Sequence, residues 1–267
     1  MTWKIALPMY NVSAAIQLGY EAVLETLVDV LRASGWRGAV ELVRAPPLPE
    51  FWEQPDMLLS QTCGYPYMTQ LRHRVKLIAT PCYDFPGCHG SDYSSVIVVR
   101  EDSRIIALAD ARGRVAAAND MHSNSGMNVL RHAVAPLARG GRFFARVAYS
   151  GSHENSLKMV RDGEADIAAI DSVTFAYLGQ QTPACLEGLS ILQYSAFSPG
   201  LPMIANNALP EQLVWQLRGA LLEPDRQMAQ LLRSLQIQAF RHCTDQEYAR
   251  VMLLESEAKS HAYPVLR

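Results

Sequence analysis

The sequence predicts an α/β protein made of two successive α/β units. Three observations carry this. Short apolar or β-branched runs alternate with longer segments of helical apolar spacing, as layered sheets with crossover helices require. The alternation breaks at a loop dense in Pro, Gly and Asp, "PCYDFPGCHGSDY" from Pro81 to Tyr93, and then resumes. The 267 residues, 49% hydrophobic and 19% charged, supply enough apolar chain for one large or two medium cores.

In order, Lys4–Met9 is a short buried strand. Ala14–Ala33 places Ile16, Tyr20, Val23, Leu24, Leu27, Val28 and Leu31 on one helical face, and Gly35 stops it. Val40–Arg44 is a second strand, "APPLP" breaks the chain, Asp56–Ser60 is a third strand, and "QTCGYPYMTQL" starts a helix. Val75–Thr80 is a fourth strand. After the loop, "SSVIVVR" is a strongly β-branched strand, "SRIIALADARGR" a helical turn and "VAAAN" a strand. "NVLRHAVAPLA" is an amphipathic helix ending near Gly140-Gly141, "RVAYSG" a strand, and "SHENSLKMVRDG" a helix stopped by Gly163. "ADIAAID" and "SVTFAYLGQQ" add a strand and a helix, so the second unit runs from about Ser95 to Pro183. "LSILQYSAFSPGLPMIAN" is strand-like with an interruption at Ser198-Pro199-Gly200, and the chain from Pro210 is helical, with Thr244 and Glu247 matching a capping box.

Composition closes several classes of function. A formal net charge of -2 leaves no basic footprint for nucleic acid. No run of about 18 apolar residues occurs, so no direct membrane insertion is expected. HExxH, Walker A, GxGxxG and GxSxG patterns are absent, and no Cys/His spacing fits zinc, so neither catalysis nor a cofactor or metal is expected. The five cysteines read as free buried thiols; the crowding of Cys63, Cys82 and Cys88 also admits a Cys63–Cys88 or Cys82–Cys88 disulfide.

The chemistry concentrates where strands give way to helices, the usual ligand side of an open α/β sheet. Ser123-Asn124-Ser125-Gly126 runs straight into the apolar helix. Unpaired N–H groups and a partial positive charge at a helix start suit an oxyanion or carboxylate, and two hydroxyls add donors. An ordinary N-cap is the alternative. Gly151-Ser152-His153-Glu154 repeats the situation, with His153 on the first turn; a packed or solvated histidine is its alternative. Asp171 ends "ADIAAID" either as a cap for the next helix or as an acceptor for a polar ligand. Tyr93, Ser94 and Ser95 lie where the chain passes between units, while Tyr10 and Asn11 follow the first strand and Gln61 and Thr62 the third. Each of these also reads as plain loop.

In their order, "DMLLSQTCGYPY", "VKLIATPCYDFPGCHGSDYSSVIVVRED", "SNSGMNVLRHAVAPLA", "GSHENSLKMVRDGEADIAAIDSVTF" and "PGLPMIAN" resemble the PhnD-like family. These are the phosphate/phosphite/phosphonate substrate-binding proteins of ABC transporters. The resemblance implies a type 2 periplasmic-binding-protein fold: two lobes, each a mixed, mostly parallel sheet flanked by helices, joined by two crossing strands at Tyr93–Arg100 and Leu189–Phe197. Lobe 1 is then 1–93 plus 197–267, and lobe 2 is 94–196. It implies a small anionic ligand held between the lobes and an ABC transporter permease as partner. Ser123 and Ser125 match the family's S-x-S motif, His153 its anion-contacting histidine, and Tyr93 its tyrosine before the crossing strand. Asp171 corresponds to an acidic residue used for aminophosphonates. Tyr10, Gln61 and Thr62 are the first-lobe candidates, with no family motif behind them. The resemblance implies the periplasm; no basic-then-apolar leader precedes the first strand, which leaves cytoplasmic residence, and a sensor role, as the alternative. A small-molecule enzyme on the same fold is the other alternative.

Overall fold

A computed structural model describes residues 2–267, which divide into two compact units. The first holds the chain up to Asp84, His89–Ser91 and Pro199–Tyr248; the second holds Phe85–Cys88, Asp92–Ser198 and Ala249–Arg267.

β1 (Thr2–Ile5) leads to α1 (Ala14–Ala33). Ser13 caps α1 by accepting the Ile16 N–H at 3.2 Å, and the apolar stripe expected from its spacing is buried. Gly35 ends the helix at φ 94°, a conformation that strains any side chain. β2 (Ala39–Leu42), β3 (Met57–Gln61), the turn α2 (Gly64–Pro66) and β4 (Val75–Tyr83) come next. Two-residue strands β5 (Cys88–His89) and β6 (Asp92–Tyr93) precede β7 (Ser95–Arg100). Then come β8 (Val115–Ala118), α3 (Val129–Val134), β9 (Arg146–Tyr149), α4 (His153–Arg161), β10 (Ile167–Asp171), α5 (Ser172–Gln181) and β11 (Leu189–Tyr194). The chain ends with β12 (Ser198–Pro199), β13 (Met203–Asn206), α6 (Glu211–Leu222), α7 (Arg226–Ser234), β14 (Ile237–Arg241) and α8 (Asp245–Ser260).

Each unit is built on one mixed sheet, and the two sheets share a plan. The first has the order β14-β4-β13-β3-β1-β2, the second β11-β7-β10-β8-β9. In the first, β1 pairs parallel with β2 and β3; in the second, β8 pairs parallel with β9 and β10. The next strand is antiparallel in both: β13 lies between β3 and β4, and β7 between β10 and β11. Sheet edges therefore differ from centres in composition. Central β10 is buried throughout, with Ala168, Ala169 and Ile170 fully enclosed, so its sequence carries no polar alternation. The edge strand β11 leaves Ile191 and Tyr194 exposed.

Two boundaries differ from the sequence reading. Leu189–Tyr194 is the edge strand of the second sheet, and the chain leaves that unit only after Ser198. The last helix starts in the first unit but continues into the second, so residues 249–267 belong there and not to lobe 1. The cause is a set of non-local polar contacts. The N–H groups of Phe143 and Phe144 both donate to the Arg267 carbonyl at 2.8 and 3.1 Å, and buried Arg131 donates to the Pro264 carbonyl at 2.9 Å. The predicted capping box at Thr244 and Glu247 forms reciprocally, at 2.7 and 3.3 Å. All five cysteines are free, so neither of the Cys88 disulfides forms.

Candidate functional site

Ser123 sits in extended backbone and its Oγ accepts the Gly126 N–H at 2.9 Å, so the predicted N-cap is present. The turn it caps is not α-helical. Asn124–Asn128 form a π-helical turn, closed by the Asn128 N–H donating to the Ser123 carbonyl at 3.0 Å, before the chain tightens into α3. The extra residue in that turn re-aims the side chains that begin the helix. Gly126 is required by close approach: a Cβ there would collide with Asn119 Oδ1.

Ser123, Asn124, Ser125 and Gly126 are all buried, and the turn brings two hydroxyls together, Ser123 Oγ lying 3.5 Å from Ser125 Oγ. Ser125 Oγ also lies 2.9 Å from His153 Nε2. His153 opens α4 behind its own N-cap, Ser152, whose Oγ accepts the Asn155 N–H at 3.0 Å. Thus two helix starts expected separately from the sequence meet through one hydrogen bond. Burial lowers the His153 pKa from 6.5 to about 4, with the Ala169 carbonyl pulling weakly the other way. Nδ1 is shut away from solvent, with no well-formed hydrogen-bond partner. The imidazole is therefore neutral near pH 7. Arg131, one turn further on, is occupied: its guanidinium donates to Asn128 Oδ1 at 2.6 Å and pairs with Glu255 at 3.5 Å.

The other second-unit candidates take inward roles. Asn124 Nδ2 donates to Tyr93 Oη at 3.1 Å and to Ser198 Oγ at 2.7 Å, while Asn124 Oδ1 accepts from Asn128 Nδ2 at 2.9 Å. Asp171 Oδ1 accepts the N–H groups of Val173 and Thr174 at 2.8 and 3.1 Å, so Asp171 is the N-cap of α5. Its negative charge, after burial, helps push the Cys88 thiol up to about 12.

In the first unit, Tyr10 comes after β1 and packs edge-on against Tyr83 at 5.5 Å. Gln61 and Thr62 end the neighbouring β3, both fully buried. Gln61 Nε2 donates to the Leu201 carbonyl at 3.2 Å, but Gln61 Oε1, Thr62 Oγ1 and adjacent Ser60 Oγ have no partner. Buried polar atoms without partners are costly unless something external satisfies them. Sequence reasoning missed Ser60, Asn119, Asn128 and Ser198. The i, i+4 spacing of Asn124 and Asn128 was the one available signal among them. Among the described residues, no group of three or more His, Cys, Asp or Glu is arranged to hold a metal ion.

A family model for ABC transporter phosphonate periplasmic substrate-binding proteins matches residues 53–248. The chain belongs to this family. The family consists of substrate-binding proteins rather than enzymes. Comparison with curated proteins finds no match. Among solved structures, a binding-protein component of an ABC phosphonate transporter from Pseudomonas aeruginosa superposes with a TM-score of 0.78 at 19% identity, over 98% of this chain and 87% of that one. PhnD1 from Prochlorococcus marinus, in complex with methylphosphonate, gives 0.76 at 14% identity, over 97% and 98%. The aliphatic sulphonate binding protein SsuA from Escherichia coli gives 0.60 at 14%, over 98% and 88%. These likenesses establish the architecture as the type 2 periplasmic-binding-protein fold. No helix of the described residues is long and apolar enough to cross a membrane.

Proposed function

We propose that this protein captures a small phosphonate- or phosphate-like oxyanion in the periplasm and hands it to the permease of an ABC transporter. The observation that carries the reading is the Ser125–His153 contact of 2.9 Å at a buried helical start, with Ser123 Oγ 3.5 Å from Ser125 Oγ. Hydroxyl and imidazole donors, together with the first N–H groups of the turn, complement oxygens held in a tetrahedral head group. Neutral donors hold the anion without the need to desolvate a lysine or arginine. In this reading Ser123, Ser125, His153 and the backbone of Asn124 and Gly126 grip the head group, with Tyr93 beside them. In the first unit taken by itself, the unpaired oxygens of Gln61 and Thr62 mark that pair, near Tyr10, as its candidate polar contact, while Asp171 serves as the cap of α5.

Calorimetry with methylphosphonate, inorganic phosphate and sulfate tests it. Ser125→Ala and His153→Ala should each weaken the tightest of these by roughly 10- to 100-fold, since a hydrogen bond to a charged group is worth about 1.5–3 kcal/mol. Circular dichroism should show both variants folded. Wild-type affinity in both variants, or no oxyanion binding by the parent protein, refutes the reading.

A further inference from the structure

The two asparagines behind the seat make contacts that share a position in the chain. Asn124 Nδ2 reaches Tyr93 and Ser198, at 3.1 and 2.7 Å. Asn128 Nδ2 reaches Asn124 Oδ1 at 2.9 Å and the Val251 carbonyl at 3.0 Å. Tyr93, Ser198 and Val251 each lie within three residues of a point where the chain enters or leaves the second unit, at 92, 198 and 249. The chain also crosses between the units at 84/85 and 88/89, so three of its five crossings are fastened, inside the second unit, to two neighbouring amides of the π-turn. Both asparagines are fully buried. Asn128 Oδ1 is held in turn by Arg131 at 2.6 Å, which fixes the orientation of its amide.

We infer that Asn124 and Asn128 are positioning residues that couple the anion seat to these three connecting segments, so that filling the seat stiffens Tyr93, Ser198 and Val251 together. This rests on the oxyanion reading of the seat. A π-turn has a less favourable hydrogen-bond pattern than an α-turn and needs outside support. Here the support is a chain of amides, and an anion drawn to Ser125 and Gly126 tightens the same turn from its other side. Buried polar chains of this kind have few alternative arrangements, so ordering at one end is felt at the other.

The experiment uses the full chain, with methylphosphonate and inorganic phosphate as probes. Wild-type affinity by calorimetry comes first; absence of binding there fails the functional reading, not the coupling. Hydrogen exchange is then followed at residues 93–98, 195–198 and 249–254 with and without saturating ligand. In the wild type all three segments should exchange more slowly with ligand. Asn128→Asp keeps an acceptor for Arg131 but cannot donate to Val251 or Asn124. It should bind about tenfold more weakly, the equivalent of roughly one hydrogen bond, and lose ligand-dependent protection at 249–254. Ser198→Ala removes one acceptor of Asn124 and should lose protection at 195–198 while keeping it at 249–254. A general loss of stability would not sort the segments in this way. Ligand-dependent protection that is the same in wild type and both variants overturns the coupling.

Discussion

Among the residues of the seat, His153 is the one whose charge state can be tested most directly. Its pKa is lowered from 6.5 to about 4 by burial. A histidine lowered in the folded state binds protons more readily when unfolded, so its contribution to stability is complete above pH 6.5 and shrinks as pH falls toward 4. Integrating the difference in proton uptake between pH 7 and pH 5 gives a loss of about 2 kcal/mol attributable to this one group. His153→Gln keeps a polar side chain of similar length and cannot titrate. Urea unfolding at pH 5, 6, 7 and 8 should therefore show the variant losing about 2 kcal/mol less than the wild type over the acidic interval. The comparison cancels the other histidines, including His242, which burial also lowers. An NMR titration gives the same quantity directly: the His153 ring should remain neutral at pH 5.5. Equal pH dependence in the two proteins, or a His153 ring titrating near 6.5, would refute a neutral imidazole held at low pKa.

Other consequences can be checked in parallel. Gly126→Ala forces a Cβ against Asn119 Oδ1 and should destabilise by about 1–3 kcal/mol in urea. Adding Asn119→Ala should recover part of that loss. Cys88, pushed up to about 12 by burial and Asp171, should react with a disulfide reagent at pH 8 far more slowly in the native protein than in urea. Arg131→Met removes the donor to the Pro264 carbonyl and strands part of Glu255, so unfolding should lose about 3 kcal/mol, with early proteolysis in 249–267.

Most of the strand and helix order was legible because those elements carry their own local signal; β14 (Ile237–Arg241), inside the stretch read as helical, was not. The stripe of α1, the caps at Ser13, Ser123 and Ser152, and the box at Thr244–Glu247 all depend on residues within four positions of each other. The seat was legible in part for the same reason, since hydroxyls before an apolar helix read as a cap with donors. That Ser125 meets His153 was not legible. It depends on how β8 and β9 pair in parallel, with Ala118 opposite Tyr149, which places the start of α4 against the π-turn. The π-turn itself was read as plain helix, because its supports include a distant partner, the Val251 carbonyl. Asn124 was assigned to the ligand from its neighbours in sequence; its amide is taken up by Tyr93, Ser198 and Asn128. The membership of residues 249–267 failed to show for the same non-local reason.

The shared sheet plan also governs how the polypeptide must come together as it is made. β3 and β4 are not neighbours; β13 lies between them. During synthesis the first sheet stays split from residue 83 until residue 203 has been added, with strand edges open throughout. The second sheet can close earlier, but its last packing segment, 249–267, comes at the end of the chain. The second unit therefore cannot finish until the whole of the first has been read. Such long-range closure predicts slow folding and an interval of exposed edges in which chaperone capture competes with aggregation.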